Sequence, residues 1–443
     1  MDKVLMVSLG CPKNLVDSEI ITGVLMNSQF EMTVKEENAD IVIINTCSFI
    51  QPAVEEAIEH ILYYSELKKE GKIKKLIVAG CLVERYKEEI LDDLEEIDMC
   101  VGIKGIKDID KLIRNGEMSC IYGGDYDIDF LNLPRSISSD SPYAYVKIAD
   151  GCDNKCTYCT IPSIRGKMQS RSIEDIVSEI KLLEHNHIRE IILVAQDVTA
   201  YGLDRYKKLA LADLIKTIIK ETEAVWIRLL YCYPESMTDE LIDLMAAEKR
   251  FLNYIDIPLQ HASDRILRLM NRKGTYEEYV SLIQKLREKV PDVVVRTTFI
   301  TGFPGEEKED IDILARFIKE IQFERIGIFA YCLEEGTPAF KLPGRVNEKE
   351  KNKRKEFLMS IQQEISFSKN KSRLNSIYDV LIENVSEDGI FYEGRSYGEA
   401  PEIDITIYVT SPEPLEKGDI IKVRILNVEQ YDLIGEALHE FTE

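Results

Sequence analysis

The first 117 residues alternate short apolar runs with amphipathic stretches: KVLMVSLG, Leu15 to Met26, DIVIINTC, Pro52 to Leu67, KLIVAGC and Glu84 to Leu94. Strand-length runs that give way to helical periodicity predict βαβ units, and hence a doubly wound parallel sheet. The first βα turn reads GCPKN rather than G-x-G-x-x-G, so no dinucleotide or P-loop phosphate cradle is expected there. A Gly- and Asp-rich stretch at 122–142 reads as a linker. A second series follows, with strands expected at 143–150, 190–197, 225–231, 253–260, 292–302 and 325–331 and amphipathic stretches between them. Six βα units without a clear seventh and eighth predict a partial (βα)6 barrel. Residues 345–373 carry nine basic and four acidic side chains and are expected to form a solvated connecting helix. Beyond it, Ile403, Ile405, Ile407 and Val409 alternate with Asp404, Thr406, Tyr408 and Thr410, the period-two pattern of a small all-β barrel of the oligonucleotide-binding size class. The expected domains are 1–117, 138–368 and 371–440.

Composition narrows the class. With 443 residues, 45 % apolar and 30 % charged, and only 23 Gly and 14 Pro, the chain is globular rather than disordered or collagen-like. It has no run of 18 apolar residues, and its opening MDKVLMVSLGC is too short in both charge and apolar length for a signal peptide, so a cytoplasmic location is expected. In a reducing compartment its ten cysteines are expected to bind metal, catalyse or pack rather than pair. The net charge of −23 argues against a surface covered in phosphate-binding cations. Residues 376–443 hold 16 acidic and four basic side chains, a net of −12.

Two cysteine constellations carry chemistry. In DGCDNKCTYCTIP, Cys152, Cys156 and Cys159 are spaced x3 then x2 in the loop after the first strand of the second domain. Structural zinc takes four protein ligands from two spaced pairs, and no fourth Cys or His follows nearby. An iron–sulfur cluster held by three thiolates leaves one iron open to a small chelating ligand. The second trio is dispersed: Cys11, Cys47 and Cys81 each end one of the first three expected strands, and in a doubly wound sheet those ends share one edge. A second three-cysteine 4Fe-4S site is expected there. Cys100, Cys120, Cys232 and Cys332 read as packed thiols, and His261 as a structural histidine.

The pattern C-x3-C-x-aromatic-C, with Tyr158 as the aromatic, resembles the radical S-adenosylmethionine superfamily. The two trios, the domain order and the strings SLGCPKNLVDSE, GCDNKCTYCTIPSIRG, FITGFPGE and EEGTPA together resemble the methylthiotransferases over essentially the full length. LGCPKNLVDSE, QDVTAYG and GRSYGEAPEIDI look like the RimO-type branch, which modifies a ribosomal protein; a sister branch acts on an adenosine beside the tRNA anticodon. The resemblance implies a C-terminal TRAM domain and transfer of a methylthio group to the β-carbon of an aspartate in the small-subunit ribosomal protein numbered twelve. It also implies S-adenosyl-L-methionine, a radical cluster on Cys152, Cys156 and Cys159, and an auxiliary cluster on Cys11, Cys47 and Cys81. An electron donor and a sulfur source are required, and tRNA and membranes are not expected partners. Gln196, Arg296, Gly302 and Gly305 are candidate S-adenosylmethionine contacts, and no catalytic residue is assigned beyond the cluster ligands. A non-catalytic zinc scaffold and an iron–sulfur electron carrier are the readings from other classes. Cys332 departs from the serine usual before EEGTPA and reads as a packing change.

Overall fold

The computed structural model describes residues 2–87, 89–90, 94–115, 119–123, 128–137, 140–429 and 431–438. Strands β1 (Lys3–Ser8), β2 (Glu31–Thr33), β3 (Ile41–Thr46), β4 (Lys75–Gly80), β5 (Met99–Val101) and β6 (Ser119–Ile121) form one parallel sheet in the order β2-β1-β3-β4-β5-β6. All six residues of the central β3 are buried, because helices cover both faces. Val16 and Ile20 of helix Pro12–Asn27 pack on one face, and Val54, Ala57 and Ile61 of helix Gln51–Lys69 on the other. The helix expected from Glu84 to Leu94 begins at Cys81, breaks after Tyr86 where Lys87 turns left-handed at φ 55°, and is helical again at 89–90. Positions 88 and 91–93 of that stretch lie outside the described residues.

The second sheet comprises β7 (Tyr143–Lys147), β10 (Glu190–Val194), β11 (Trp226–Leu229), β12 (Phe251–Asp256), β13 (Val294–Thr301) and β14 (Arg325–Ala330). They run parallel in the order β14-β13-β12-β11-β10-β7, an open six-stranded partial barrel. A two-stranded ladder, β8 (Ala149–Asp150) with β9 (Gln169–Ser170), brackets the Cys152 loop. The outer face of the sheet packs on the helices through Val146, Ile191, Leu229, Ile255 and Val295. On the inner face Tyr145, Ile192, Trp226 and Tyr254 share a core with Val16 and Ile20 of the first domain and with Leu381 and Ala400 of the third. An open barrel exposes its lumen along one side, and here the neighbouring domains fill it.

Three expectations need correction. Helix Glu348–Lys371 is not a solvated connector: it packs on β14 and on helix Lys308–Ile321, burying Leu358 and Ile361 in the barrel's outer core. Its basic residues hide a narrow apolar stripe, and by covering an edge strand it closes that side of the sheet. The segment read as a linker is in part a strap: Ile128 and Leu131 are buried, and Arg135 pairs with Glu19 at 2.5 Å and Glu179 at 2.6 Å, tying the first two domains. In the third domain the alternation that began at Ile403 becomes strand only at Ile407.

Strands β15 (Ile377–Val385), β16 (Tyr392–Arg395), β17 (Ile407–Thr410), β18 (Ile420–Val428) and β19 (Leu433–Ala437) close a barrel in the order β15-β16-β17-β19-β18. Its 395–404 segment is anchored under the open barrel: Arg395 bonds Glu190 at 2.7 Å, Arg228 donates to the Tyr397 carbonyl at 2.8 Å, and Tyr254 donates to Asp404 at 2.6 Å. A cleft of about 610 Å³ at this junction is lined by Trp226, Arg373, Tyr378 and Tyr397, at the strand ends away from the cysteines. No helix among the described residues is long and apolar enough to cross a membrane.

Candidate active site between two cysteine trios

Adjacent parallel strands carry the first trio to one place. Cys47 and Cys81 directly follow β3 and β4, and Cys11 precedes helix Pro12–Asn27 three residues after the end of β1. The backbone approaches closely here: Gly10 sits at φ 90°, and a Cβ on it would lie 2.4 Å from the Cys47 Cβ. The three thiols feel one another's charge. Burial raises the Cys11 thiol, but Lys13, Arg165 and two backbone N–H groups outweigh it and hold the group below an ordinary thiol. Burial pushes Cys81 up to about 12 despite the Arg165 guanidinium 3.3 Å from its sulfur.

The second trio lies in the loop between β8 and β9, at the C-terminal mouth of the open barrel. Neighbouring loops clamp that loop. Thr157 donates to the Met270 carbonyl at 3.0 Å and accepts from the Ala339 N–H at 2.9 Å, and Asn271 donates to the Lys155 carbonyl at 2.7 Å. Tyr158 stands edge-on to Phe303, with ring centroids 6.4 Å apart, against the buried cluster of Ile266, Met270 and Tyr331. Asn154 donates to Asp197 at 2.8 Å, and the Cys156 sulfur lies 3.9 Å from the Tyr233 hydroxyl. Burial pushes Cys152 to about 11 and Cys159 to about 12. A bound metal inverts such shifts, since its charge favours the thiolate outright. Among the described residues no group of three His, Cys, Asp or Glu is arranged to hold a single metal ion.

A buried polar network joins the trios across the domain interface. Arg165, six residues after Cys159, donates to Asp150 at 2.7 Å, to Asn14 at 2.7 Å and to Asp17 at 3.0 Å as well as to Cys81. Lys147 pairs with both Asp17 and Asp150. Lys13 lies with its ammonium 3.5 Å over the Tyr231 ring, and its charge acts on both Cys11 and Cys159. A second tie runs along the edge: Glu334 of EEGTPA accepts from Arg85 at 2.8 Å and from the Gln51 N–H at 2.7 Å. Sequence reasoning singled out none of these polar residues. The available signal was their place within GCPKN, SIRG and EEGTPA, strings that neighbour the cysteines or the mouth.

The other candidates fall as follows. Gln196 donates to Asp150 at 2.6 Å, and its carbonyl oxygen is buried with no hydrogen-bond partner in the structure. Arg296 is held by Asp256 at 3.3 Å and by Asp404 of the third domain at 3.5 Å. Gly302, at φ 73°, leaves no room for a Cβ because Lys351 would be 2.2 Å away, and the Gly305 N–H donates to the Gly344 carbonyl at 2.9 Å. Close packing thus excludes a side chain at Gly302, whereas at Gly305 it is the φ of 84° that favours glycine. His261 accepts from the Ala262 and Ser263 N–H groups at 2.9 Å each, as a buried structural residue does. Cys100 and Cys232 are buried apart from the trios, and the Cys332 sulfur neighbours Glu334 and the Gln51 N–H.

Comparisons with known proteins agree with this architecture. Family models match in chain order: the uncharacterized protein family UPF0004 over residues 3–102, the radical SAM superfamily over 146–318 and the TRAM domain over 376–438. The ribosomal protein uS12 methylthiotransferase RimO of Acetivibrio thermocellus is 47 % identical, over 99 % of both chains. The protein of that name in Clostridioides difficile is 45 % identical over 99 % of this chain and all of its own length, 100 %. Among solved structures, the radical S-adenosylmethionine methyltransferase TsrM of Kitasatospora setae, with cobalamin and a [4Fe-4S] cluster bound, has a TM-score of 0.57 at 15 % identity and covers 76 % of this chain and 77 % of its own. The cobalamin-dependent enzyme OxsB has a TM-score of 0.54 at 13 % identity, over 81 % and 56 % of the two chains. Those likenesses concern the fold alone. With identity near one half along its whole length and three domain models in the same order, the chain belongs to the ribosomal protein uS12 methylthiotransferase RimO family.

Proposed function

We infer that the chain is a radical S-adenosylmethionine methylthiotransferase acting on ribosomal protein uS12, and that its target is the β-carbon of an aspartate. The observation that supports the reading is the buried polar network in which Arg165, six residues after Cys159, reaches Asn14 and Cys81 of the first domain. Cys152, Cys156 and Cys159 hold one 4Fe-4S cluster, and Cys11, Cys47 and Cys81 a second. When bound, the clusters and S-adenosylmethionine supply one-electron chemistry at unactivated carbon, which no side-chain base offers. The chain's own residues bind, orient and shield. Arg165 and Lys13 place positive charge beside the thiolates of the first trio. Tyr158, Phe303 and Tyr331 form an apolar wall behind the second trio and keep water from it. The unpartnered carbonyl of Gln196 is a hydrogen-bond acceptor for S-adenosylmethionine at the barrel mouth. The Arg165 and Glu334 contacts hold the two domains closed, so that both trios serve one carbon. An electron donor and a sulfur source complete the reaction.

The test is a mass comparison. Anaerobically reconstituted enzyme with S-adenosylmethionine and dithionite is incubated with uS12 and, separately, with tRNA. The expected result is a methylthio increment on uS12 only. An increment on tRNA alone, or zinc in place of iron on metal analysis, overturns the reading.

A further inference from the structure

The functional reading leaves open how the substrate aspartate is recognised. Cations flank the interface between the trios: Lys147 is matched by Asp17 and Asp150, Arg165 by the same two, the partly buried Arg296 by Asp256 and Asp404, and Arg272, stacked on the Tyr233 ring, by the Pro258 carbonyl. Lys13 differs in having no oxygen partner. It is 8 % exposed, no hydrogen bond or ion pair joins its ammonium to an oxygen among the described residues, and it lies over the face of the Tyr231 ring with the Cys11 thiol near enough to feel its charge. Asp150, the carboxylate whose charge reaches it, is bonded instead to Lys147, Arg165 and Gln196. A ring face and a neighbouring thiol offset only part of the desolvation of a buried ammonium, which is left without a carboxylate partner.

The backbone is arranged around this pair. Tyr231, two residues beyond the end of β11, is held at φ 67°, a left-handed conformation costly for a bulky residue, and its N–H is fixed by Asp256 at 2.9 Å. Strain kept at the barrel mouth beneath a cation with no carboxylate partner points to a binding position. The first trio already has a cation in hydrogen-bond contact, Arg165 at 3.3 Å from Cys81, whereas Lys13 stands on the side that also reaches Cys159. An ammonium whose charge reaches both Cys11 and Cys159 is placed to meet a carbon that both trios serve. In an aspartate the carboxylate is one bond from the β-carbon, so an ammonium between the trios that captures the carboxylate places the reacting carbon as well.

Resting on the uS12 reading, we propose that Lys13, supported by Tyr231, binds the side-chain carboxylate of the substrate aspartate and is the residue that makes the site specific for an acid over an amide. A charge-assisted contact of this kind is worth about a 10- to 100-fold difference in affinity.

The experiment measures binding of isolated uS12, and of uS12 with the target aspartate changed to asparagine, to anaerobically reconstituted wild type and Lys13→Met, with iron determined on both enzymes. Wild type is expected to bind the aspartate form about 10- to 100-fold more tightly than the asparagine form, with the variant binding both at the weaker level and keeping its iron. The asparagine comparison on wild type stands even where the variant folds poorly, and equal affinity for the two forms there overturns the proposal. A variant that still discriminates overturns it, and one that discriminates but loses iron assigns Lys13 to the cluster instead. Absence of any methylthio increment on wild-type substrate overturns the functional reading itself, whereas an increment with discrimination retained in the variant overturns this inference alone.

Discussion

Asp17 tests whether the polar network holds the two domains together. Its carboxylate bonds Lys147 and Arg165, and the four side chains of the network, with Asp150, are 0 to 2 % exposed. Two carboxylates and two cations balance. Asp17→Asn keeps the shape but leaves two buried cations on the single carboxylate of Asp150. Breaking a buried pair from one side costs about 3–5 kcal/mol, because the remaining charge cannot reach water. At roughly 2–4 °C per kcal/mol for domains of this size, the first transition of a thermal melt is expected to fall by about 10 °C. The network also sets the position of the first trio relative to the second, and a misplacement of about 1 Å can cost on the order of 100-fold in a positioned reaction. The sharper assay is therefore coupling: methylthiolated uS12 formed per 5′-deoxyadenosine released, expected to collapse in the variant. Adding Lys147→Met to Asp17→Asn restores one cation to one carboxylate and is expected to recover part of the melt. A melt within about 1 °C of wild type, together with unchanged coupling, refutes the reasoning.

Further perturbations follow from the same contacts. Burial raises the Glu399 carboxyl, but Arg373, Arg325 and Ser396 outweigh it and hold the group at about 2, well below its ordinary 4.5. A depressed carboxyl stabilises the fold above about pH 4.5 and loses that contribution as pH falls toward 2, an effect of about 3 kcal/mol in full. Glu399→Gln is thus expected to be less stable at pH 7 and to approach wild type as pH falls from 5 to 3. The single Trp226, 7 % exposed beside the third domain, reports it by fluorescence, and a stability gap independent of pH sinks the account. Gly10→Ala forces a Cβ to within 2.4 Å of Cys47 at φ 90° and is expected to cut iron to about half while leaving the second trio loaded; unchanged iron counts against the first trio as ligands. Association with basic uS12 is expected to slow as ionic strength rises from 50 to about 500 mM, read by stopped flow, and a rate that rises with salt refutes charge steering.

What the chain disclosed before its structure was known depended on whether the determining contacts were periodic. DIVIINTC was readable as a strand because a parallel strand covered on both faces is apolar throughout. The edge strand Glu31–Thr33 has three partly exposed residues and no such pattern. The dispersed trio was legible because β1, β3 and β4 set its spacing, whereas Arg165 meets Asn14 and Cys81 from 151 and 84 residues away with nothing periodic to announce it. The same limit bears on charge. A net of −12 in the last 68 residues counts Glu399 and Asp404 as free acids, yet each is matched by an arginine from outside that segment: Arg325 and Arg373 for the first, Arg296 for the second. Part of the acidity that sequence arithmetic assigns to the surface therefore docks the third domain. What is left for a basic partner comes from exposed acids such as Asp379, 59 % exposed and facing Lys422, and from Glu436, 42 % exposed beside Arg424. Those two face cations, whereas Glu387 and Asp388 are exposed with no ion pair among the described residues. Steering by the third domain should therefore be weaker than its formal charge implies but not absent, because the acids that dock the domain are not available to a partner.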